Sequence, residues 1–214
     1  MDNESTTWEE AAVVAAAALR ADHIAHHQSD SADLLDQIEQ VMNDIVADRV
    51  PPCPEDWQHI AEMALAAHAC VANVSWATLL YETVNTIIGK QYDYGHQNIL
   101  WGERPPVSGL LIRAHDKVAR LKNLQARGTA PKHEAVIDSW KDLVGYALIG
   151  IMVAEGTFTL PLAADYEPPA RPSGTPDGLL PWRSDGTTAG PPWARTLADG
   201  KPTLRQPDTK EVTQ

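Results

Sequence analysis

Phenylalanine occurs once and cysteine twice among 214 residues. Cys53 and Cys70 have no metal-ligand spacing and are too few for a disulfide framework, which points to a reduced, cytoplasmic setting. Basic residues are also scarce: 17 Lys and Arg stand against 29 Asp and Glu, a net charge of -12. A phosphate backbone repels such a surface, which argues against nucleic-acid binding through bulk electrostatics. A nucleotide remains allowed, because local cations or a bound metal offset the global charge. Long apolar runs are missing. The longest near the N-terminus, Ala11 to Leu19, is mostly alanine and too short for a bilayer, so no transmembrane segment is predicted. The acidic N-terminal region lacks the basic start of a signal peptide. No strand pair and no internal repeat is legible.

What is present reads as helix. Hydrophobic residues make up 43% of the chain, enough for a core, and the periodicity predicts an all-α bundle of about six helices. The first starts at Ser5-Thr6-Thr7, with acids in its first turn, and runs through the alanines to about His27. His23, His26 and His27 read as frayed, solvent-facing residues rather than ligands. A second helix covers Asp33 to Val50 and stops at Pro51-Pro52-Cys53-Pro54. A third begins at Glu55-Asp56. It carries His59 and His68, read as packing or surface residues for want of a partner at ligand spacing. The fourth has the stripe Trp76, Leu79, Leu80, Thr83, Val84, Ile87 and Ile88 and ends at Gly89. Glu82 lies on its opposite side. The fifth spans Ser108 to Ala126, and the sixth Lys132 to Val153 with Gly156 closing it. Ten of the sixteen prolines fall after residue 160, which predicts an extended Pro/Gly-rich tail in which Trp182 and Trp193 are candidate docking anchors.

Charged residues recur at helical spacing between Lys90 and Tyr146. On the fifth helix Arg113, Asp116, Lys117, Arg120 and Asn123 gather opposite an apolar stripe, an arrangement that self-pairing on a solvated face also explains. On the sixth, Glu134, Asp138 and Asp142 follow at i+4 steps. Three like charges on one stripe repel unless something positive meets them, and Lys141 gives partial relief. The stripe continues into Gly145, Ile149 and Met152, so it reads as the wall of a packed cleft. Carboxylates one turn apart suit Mg²⁺ or Mn²⁺, and Arg113, Lys117 and Arg120 suit phosphate oxygens. Asp93-Tyr94-Gly95 reads as a tight turn. Tyr92 and Tyr94 offer faces for a base, and His96 and Asn98 offer hydrogen bonds.

In order and spacing, Lys90-x-x-Asp93-Tyr94-Gly95, Arg113-x-x-Asp116-Lys117-x-x-Arg120-Leu121 and Glu134-x-x-x-Asp138-x-x-x-Asp142-x-x-x-Tyr146-Ala147 resemble the nucleotide-modification-associated domain 1 family. That family is common in bacteriophages and looks like a divergent branch of the all-α, MazG-like nucleotide pyrophosphohydrolases. The match covers about Trp76 to Glu155. With 1–70 and the tail outside it, the chain is read as N-terminal helices packing on the core over 1–70, a MazG-like core over 71–158 and a Pro/Gly-rich extended tail over 159–214.

The resemblance implies an often oligomeric bundle that binds divalent metal and cleaves a nucleoside triphosphate to monophosphate and pyrophosphate, in the host cytoplasm if phage-encoded. Glu134, Asp138 and Asp116 are then the expected metal ligands, and Glu82 or Asp142 the residue positioning water. Lys90, Arg113, Lys117 and Arg120 are expected to neutralise the triphosphate, and Asp93 and Tyr94 to contact base or sugar. The Glu-x-x-Glu motif of MazG-like enzymes is missing from the fourth helix, where Glu82 stands alone. The alternative reading is therefore a non-catalytic nucleotide- or signal-binding protein, or an interaction module of a phage modification system. A purely structural role for the stripes, as subunit contacts, is the third.

Overall fold

The hydroxyl cluster at the start of the chain caps a helix as its sequence predicts. Thr7 Oγ1 accepts from the Glu10 N–H at 3.3 Å, and the Glu10 carboxylate accepts from the Thr7 N–H at 3.2 Å, a reciprocal capping box. The structure, a computed structural model, describes residues 5–26, 30–48, 52–71, 76–100, 105–128, 131 and 134–164. Among these residues it is all-α, with eight helices and no strand. They are α1 (Trp8–Ala17), α2 (Ala21–His26), α3 (Ser31–Asp48), α4 (Pro54–Val71), α5 (Trp76–Tyr94), α6 (Gln97–Leu100), α7 (Pro106–Arg127) and α8 (Val136–Ala154). No described helix is long and apolar enough to cross a membrane.

Two helices exceed the sequence expectation, and each has a physical cause. The alanine-rich run breaks after Ala17 because a carboxylate from another helix intervenes. Glu62 of α4 is fully buried; it accepts from the Arg20 N–H at 2.8 Å and from the Gln58 side chain at 2.8 Å, and pairs with the Arg20 guanidinium at 3.3 Å and with His23 at 3.4 Å. Burial works to raise the Glu62 pKa, but these hydrogen bonds outweigh it and hold the carboxyl below its usual range. His23 is thus tied into the core rather than frayed. The other addition is α6, four residues too short to show a period.

The fourth predicted helix does not stop at Gly89. It continues as α5 to Tyr94, because a single interior glycine costs a helix only about 1 kcal/mol, and Gln91 extends the buried stripe. The stop comes at Gly95, whose φ of +62° is a conformation that glycine adopts without Cβ strain. Asp93-Tyr94 is therefore the last turn of α5 rather than a free loop.

Helices α4 and α8 form the axis of the bundle. In α4, Trp57, Ile60, Ala61, Met63, Ala64 and Leu65 are fully buried, and α8 packs on α4, α7, α5 and α1. One hydrophobic cluster runs from Trp8 to Phe158, so α1 to α4 contribute to the same core as the helices that follow. The chain after α8 also joins it. Phe158 stacks edge-on against Trp8 with ring centroids 6.1 Å apart, and the Trp8 backbone N–H donates to the Pro161 carbonyl at 2.9 Å. The expected tail from 165 onward, with Trp182 and Trp193, lies outside the described residues.

The axis depends on a missing side chain. A Cβ placed on Gly150 would lie 2.2 Å from the Trp57 ring, whereas one on Gly89 would meet nothing within 4 Å. Gly150→Ala is expected to destabilise by roughly 1–3 kcal/mol through overpacking. Gly89→Ala is expected to stabilise by about 0.5–1 kcal/mol through helix propensity. Urea denaturation of both variants checks the sign of each change.

His68, 1% exposed, packs edge-on to Trp140 with neither ring nitrogen hydrogen-bonded. Burial, then the Lys141 charge, lowers its pKa against the opposing pull of Glu82. The stability of the neutral ring is fully present above the usual imidazole value of about 6.5 and is lost as pH falls through the depressed folded value. Urea midpoints should accordingly drop as pH falls below about 6.5, and His68→Leu should flatten that segment of the curve.

Candidate functional site

A cleft of about 260 Å³ opens where α5, α6, α7 and α8 meet. Its apolar wall is Ile87, Ile99 and Ile149, and Tyr94 and Tyr146 add aromatic rings. Its charged lining is Lys90, Arg113, Lys141 and Asp142, three cations and one carboxylate, in which Lys90 pairs with Asp142 and Lys141 with Glu82 outside the lining. Gly145 keeps the cleft narrow at the α5–α8 contact, since a Cβ there would lie 2.9 Å from Ile87 Cγ2.

The residues expected from the sequence separate into those in the cleft, those behind it and those away from it. Lys90, Tyr94, Arg113 and Asp142 line it. Arg113 is held by α6, donating to both the backbone and the side-chain oxygen of Asn98 at 3.2 Å. Lys117, Arg120 and Glu134 form a polar bracket on Asp142. Lys117 Nζ lies 2.8 Å from Asp142 Oδ2 and 3.3 Å from Glu134 Oε1, and Lys90 Nζ lies 2.9 Å from Asp142 Oδ1. Arg120 reaches Ser139 Oγ, the Glu134 carbonyl and, at 3.7 Å, the Glu134 carboxylate. Asp93, Asp116 and Asp138 are exposed and outside the lining. Glu82 pairs with Lys141 at 2.6 Å, so that lysine does not relieve the acidic stripe of α8.

This geometry changes what the carboxylates can do. Burial disfavours an ionised Asp142, yet the two ammonium groups, one on each oxygen, overcome it and hold its pKa below the usual carboxylate range. Burial likewise disfavours a charged Lys117, and Asp142 and Glu134 more than restore it, raising its pKa. Asp142 is therefore a charged, doubly paired carboxylate and a poor general base. Glu134 is engaged by Lys117 and Arg120, while Asp116 and Asp138 face outward. Among the described residues no group of three or more His, Cys, Asp and Glu side chains is arranged to hold a metal ion. The expected set of Asp116, Glu134 and Asp138 does not fit Mg²⁺ or Mn²⁺ as it stands, because its members are either neutralised by cations or held apart.

Only four of the thirteen lining residues, Lys90, Tyr94, Arg113 and Asp142, are among the site residues expected from the sequence; Gly145 and Ile149 were read as cleft wall, whereas Gln91 and Lys141 were given no place in the site. Gln91 carried a signal, an amide at the position where the Val84–Ile87–Ile88 stripe calls for an apolar residue. Gly145 also carried one, as a small residue within a buried face.

Compared with models of known protein families, with curated proteins and with solved structures, the chain matches none.

The bracket makes a pH prediction with a definite sign. The stability contributed by Asp142 is fully present above the usual Asp value of about 3.9 and is lost as pH falls through its depressed folded value; that of Lys117 is lost only as pH rises through its raised value. Lys117→Met should cost about 1–3 kcal/mol near neutrality, between the limits for exposed and fully buried pairs. Asp142→Asn should flatten the acid limb of the stability curve. Urea denaturation across the acid range reads both.

Proposed function

We propose that the chain is a binding protein for a nucleoside phosphate or a closely related phosphorylated small molecule, held in the α5–α8 cleft. One observation carries this reading: on a chain of net charge -12, three cations, Lys90, Arg113 and Lys141, converge on the cleft beside two tyrosines and an isoleucine wall, with Arg113 held there by the oxygens of Asn98. Lysine and arginine match phosphate oxygens, and tyrosine and isoleucine match the faces of a base. The volume, about 260 Å³, sits near the lower end for small-molecule sites, which suits a base and sugar enclosed with phosphates at the mouth. The family resemblance supports the same ligand class.

The hydrolytic activity implied by that resemblance is the second reading, favoured by the carboxylates of Asp142 and Glu134 beside the cleft. No step is assigned to it, because the carboxylates are paired with cations.

Calorimetric titration of the purified full chain with nucleoside mono- and triphosphates, with and without Mg²⁺, tests both readings. Binding of phosphorylated compounds but not of free nucleosides is expected, weakened about tenfold by Arg113→Ala, with no pyrophosphate released. Pyrophosphate release that disappears in Glu134→Ala and Asp138→Ala would replace the binding reading with the hydrolytic one. Absence of any binding would end both.

A further inference from the structure

Arg113 stands apart from the other cations of the cleft. Lys90 is paired with Asp142 and Lys141 with Glu82. Among the described residues Arg113 makes no ion pair; it donates to the two oxygens of Asn98 at 3.2 Å. Neutral oxygens orient a guanidinium without cancelling its charge, which is left for an incoming anion.

The position of Asn98 is itself borrowed. It lies on α6, a helix of four residues with none of them buried, too short to be stable by its own hydrogen bonds. The start of α6 hangs on His96, whose carbonyl accepts from the Ile99 and Leu100 N–H groups at 3.1 and 3.0 Å. The His96 ring meets the chain that follows α8: it packs edge-on to Phe158 with centroids 5.7 Å apart, and Nε2 lies 3.2 Å from the Leu160 carbonyl oxygen. A carbonyl only accepts, so Nε2 carries the proton. That chain is firmly seated. Phe158 is buried, the Ala163 N–H donates to the Glu9 carboxylate at 3.1 Å, and Tyr92 Oη lies 2.9 Å from the Ala163 carbonyl oxygen. Tyr92 and His96, both candidates for ligand contact by sequence, are thus engaged with residues 158–163, and neither lines the cleft.

We propose that His96 is a positioning residue of the cleft, and that residues 158–163 act through it as a strap. The strap fixes the start of α6, α6 fixes Asn98, and Asn98 holds the Arg113 guanidinium where a phosphate oxygen meets it. This inference rests on the reading of the cleft as a nucleoside phosphate site.

The test is calorimetric titration of the full chain with the 5′-triphosphates of adenosine, guanosine, cytidine and uridine, in the wild type, His96→Leu, His96→Gln, Arg113→Ala and the His96→Leu/Arg113→Ala double variant. His96→Leu removes the donor and should weaken binding about fivefold, the worth of one hydrogen bond. A glutamine amide reaches Leu160 as the imidazole does, so His96→Gln should bind like the wild type. Because the path runs through Arg113, adding His96→Leu to Arg113→Ala should cost nothing further. A general loss of stability would instead weaken both backgrounds alike. Undiminished binding in His96→Leu, a His96→Gln variant as weak as His96→Leu, or a loss as large on the Arg113→Ala background overturns the role of His96 and leaves the cleft reading intact. A wild type that binds none of the four overturns both. If His96→Leu does not fold, His96→Asn, too short to reach Leu160, takes its place with the same expectations.

Discussion

Enclosure of α8 is the constraint on which the rest of the structure depends. Four other helices pack on it, and Leu143, Val144, Ala147, Leu148, Ile151 and Met152 are at most 1% exposed. A helix enclosed this way tolerates a charge only where partners come to it, because an unpaired buried ion is far costlier than an unpaired surface one. Asp142 is that charge. Its two oxygens draw Lys90 from α5 and Lys117 from α7, so one carboxylate ties three helices together at one end of the bundle. The cleft lies beside that junction. Its cationic character thus follows from the demands of a half-buried acid as well as from any ligand.

This coupling explains why the site was only half legible in the sequence. The stripe of Glu134, Asp138 and Asp142 stood out through like-charge repulsion, and a positive counterpart was the correct inference. Which positive counterpart was not decidable, since a metal ion and two lysines satisfy the same arithmetic. The lysines lie 25 and 52 residues away, and periodicity within one helix is silent about which face of another will meet it. The fold was more legible, because capping residues, prolines and apolar spacing are local. Where it failed, at the α1–α2 break and the run-through at Gly89, the deciding contact was again remote or the local penalty too small to act.

Global and local charge pull in opposite directions here, and the distances decide which matters. At physiological salt the Debye length is about 8 Å, so most of the acidic surface is screened from the cleft, whereas Lys90 and Arg113 would lie at contact distance from a ligand. The net charge therefore governs what approaches the chain from afar: polyanions are discouraged and small anions only mildly so. The cleft governs what stays. On the proposed reading of the cleft, this difference in range alone favours small phosphorylated compounds over nucleic acid.

Orphaned polar atoms recur through the fold, and on α5 Gln91 Nε2 is joined by Tyr81 Oη and Asn85 Oδ1. The indole nitrogens of Trp8, Trp57 and Trp140 lack partners, as do both ring nitrogens of His68. Each belongs to a large ring within the packed core, where apolar burial of roughly 1.5–3 kcal/mol or more per side chain offsets a lost hydrogen bond of about 1–3 kcal/mol. Gln91 has no such compensation. Its apolar part is two methylenes, too little to offset an unsatisfied amide, and leucine or methionine would extend the Val84–Ile87–Ile88 stripe at no polar cost. The amide therefore lowers stability relative to an apolar residue, and its nitrogen is enclosed by the protein as fully as the indole nitrogens are.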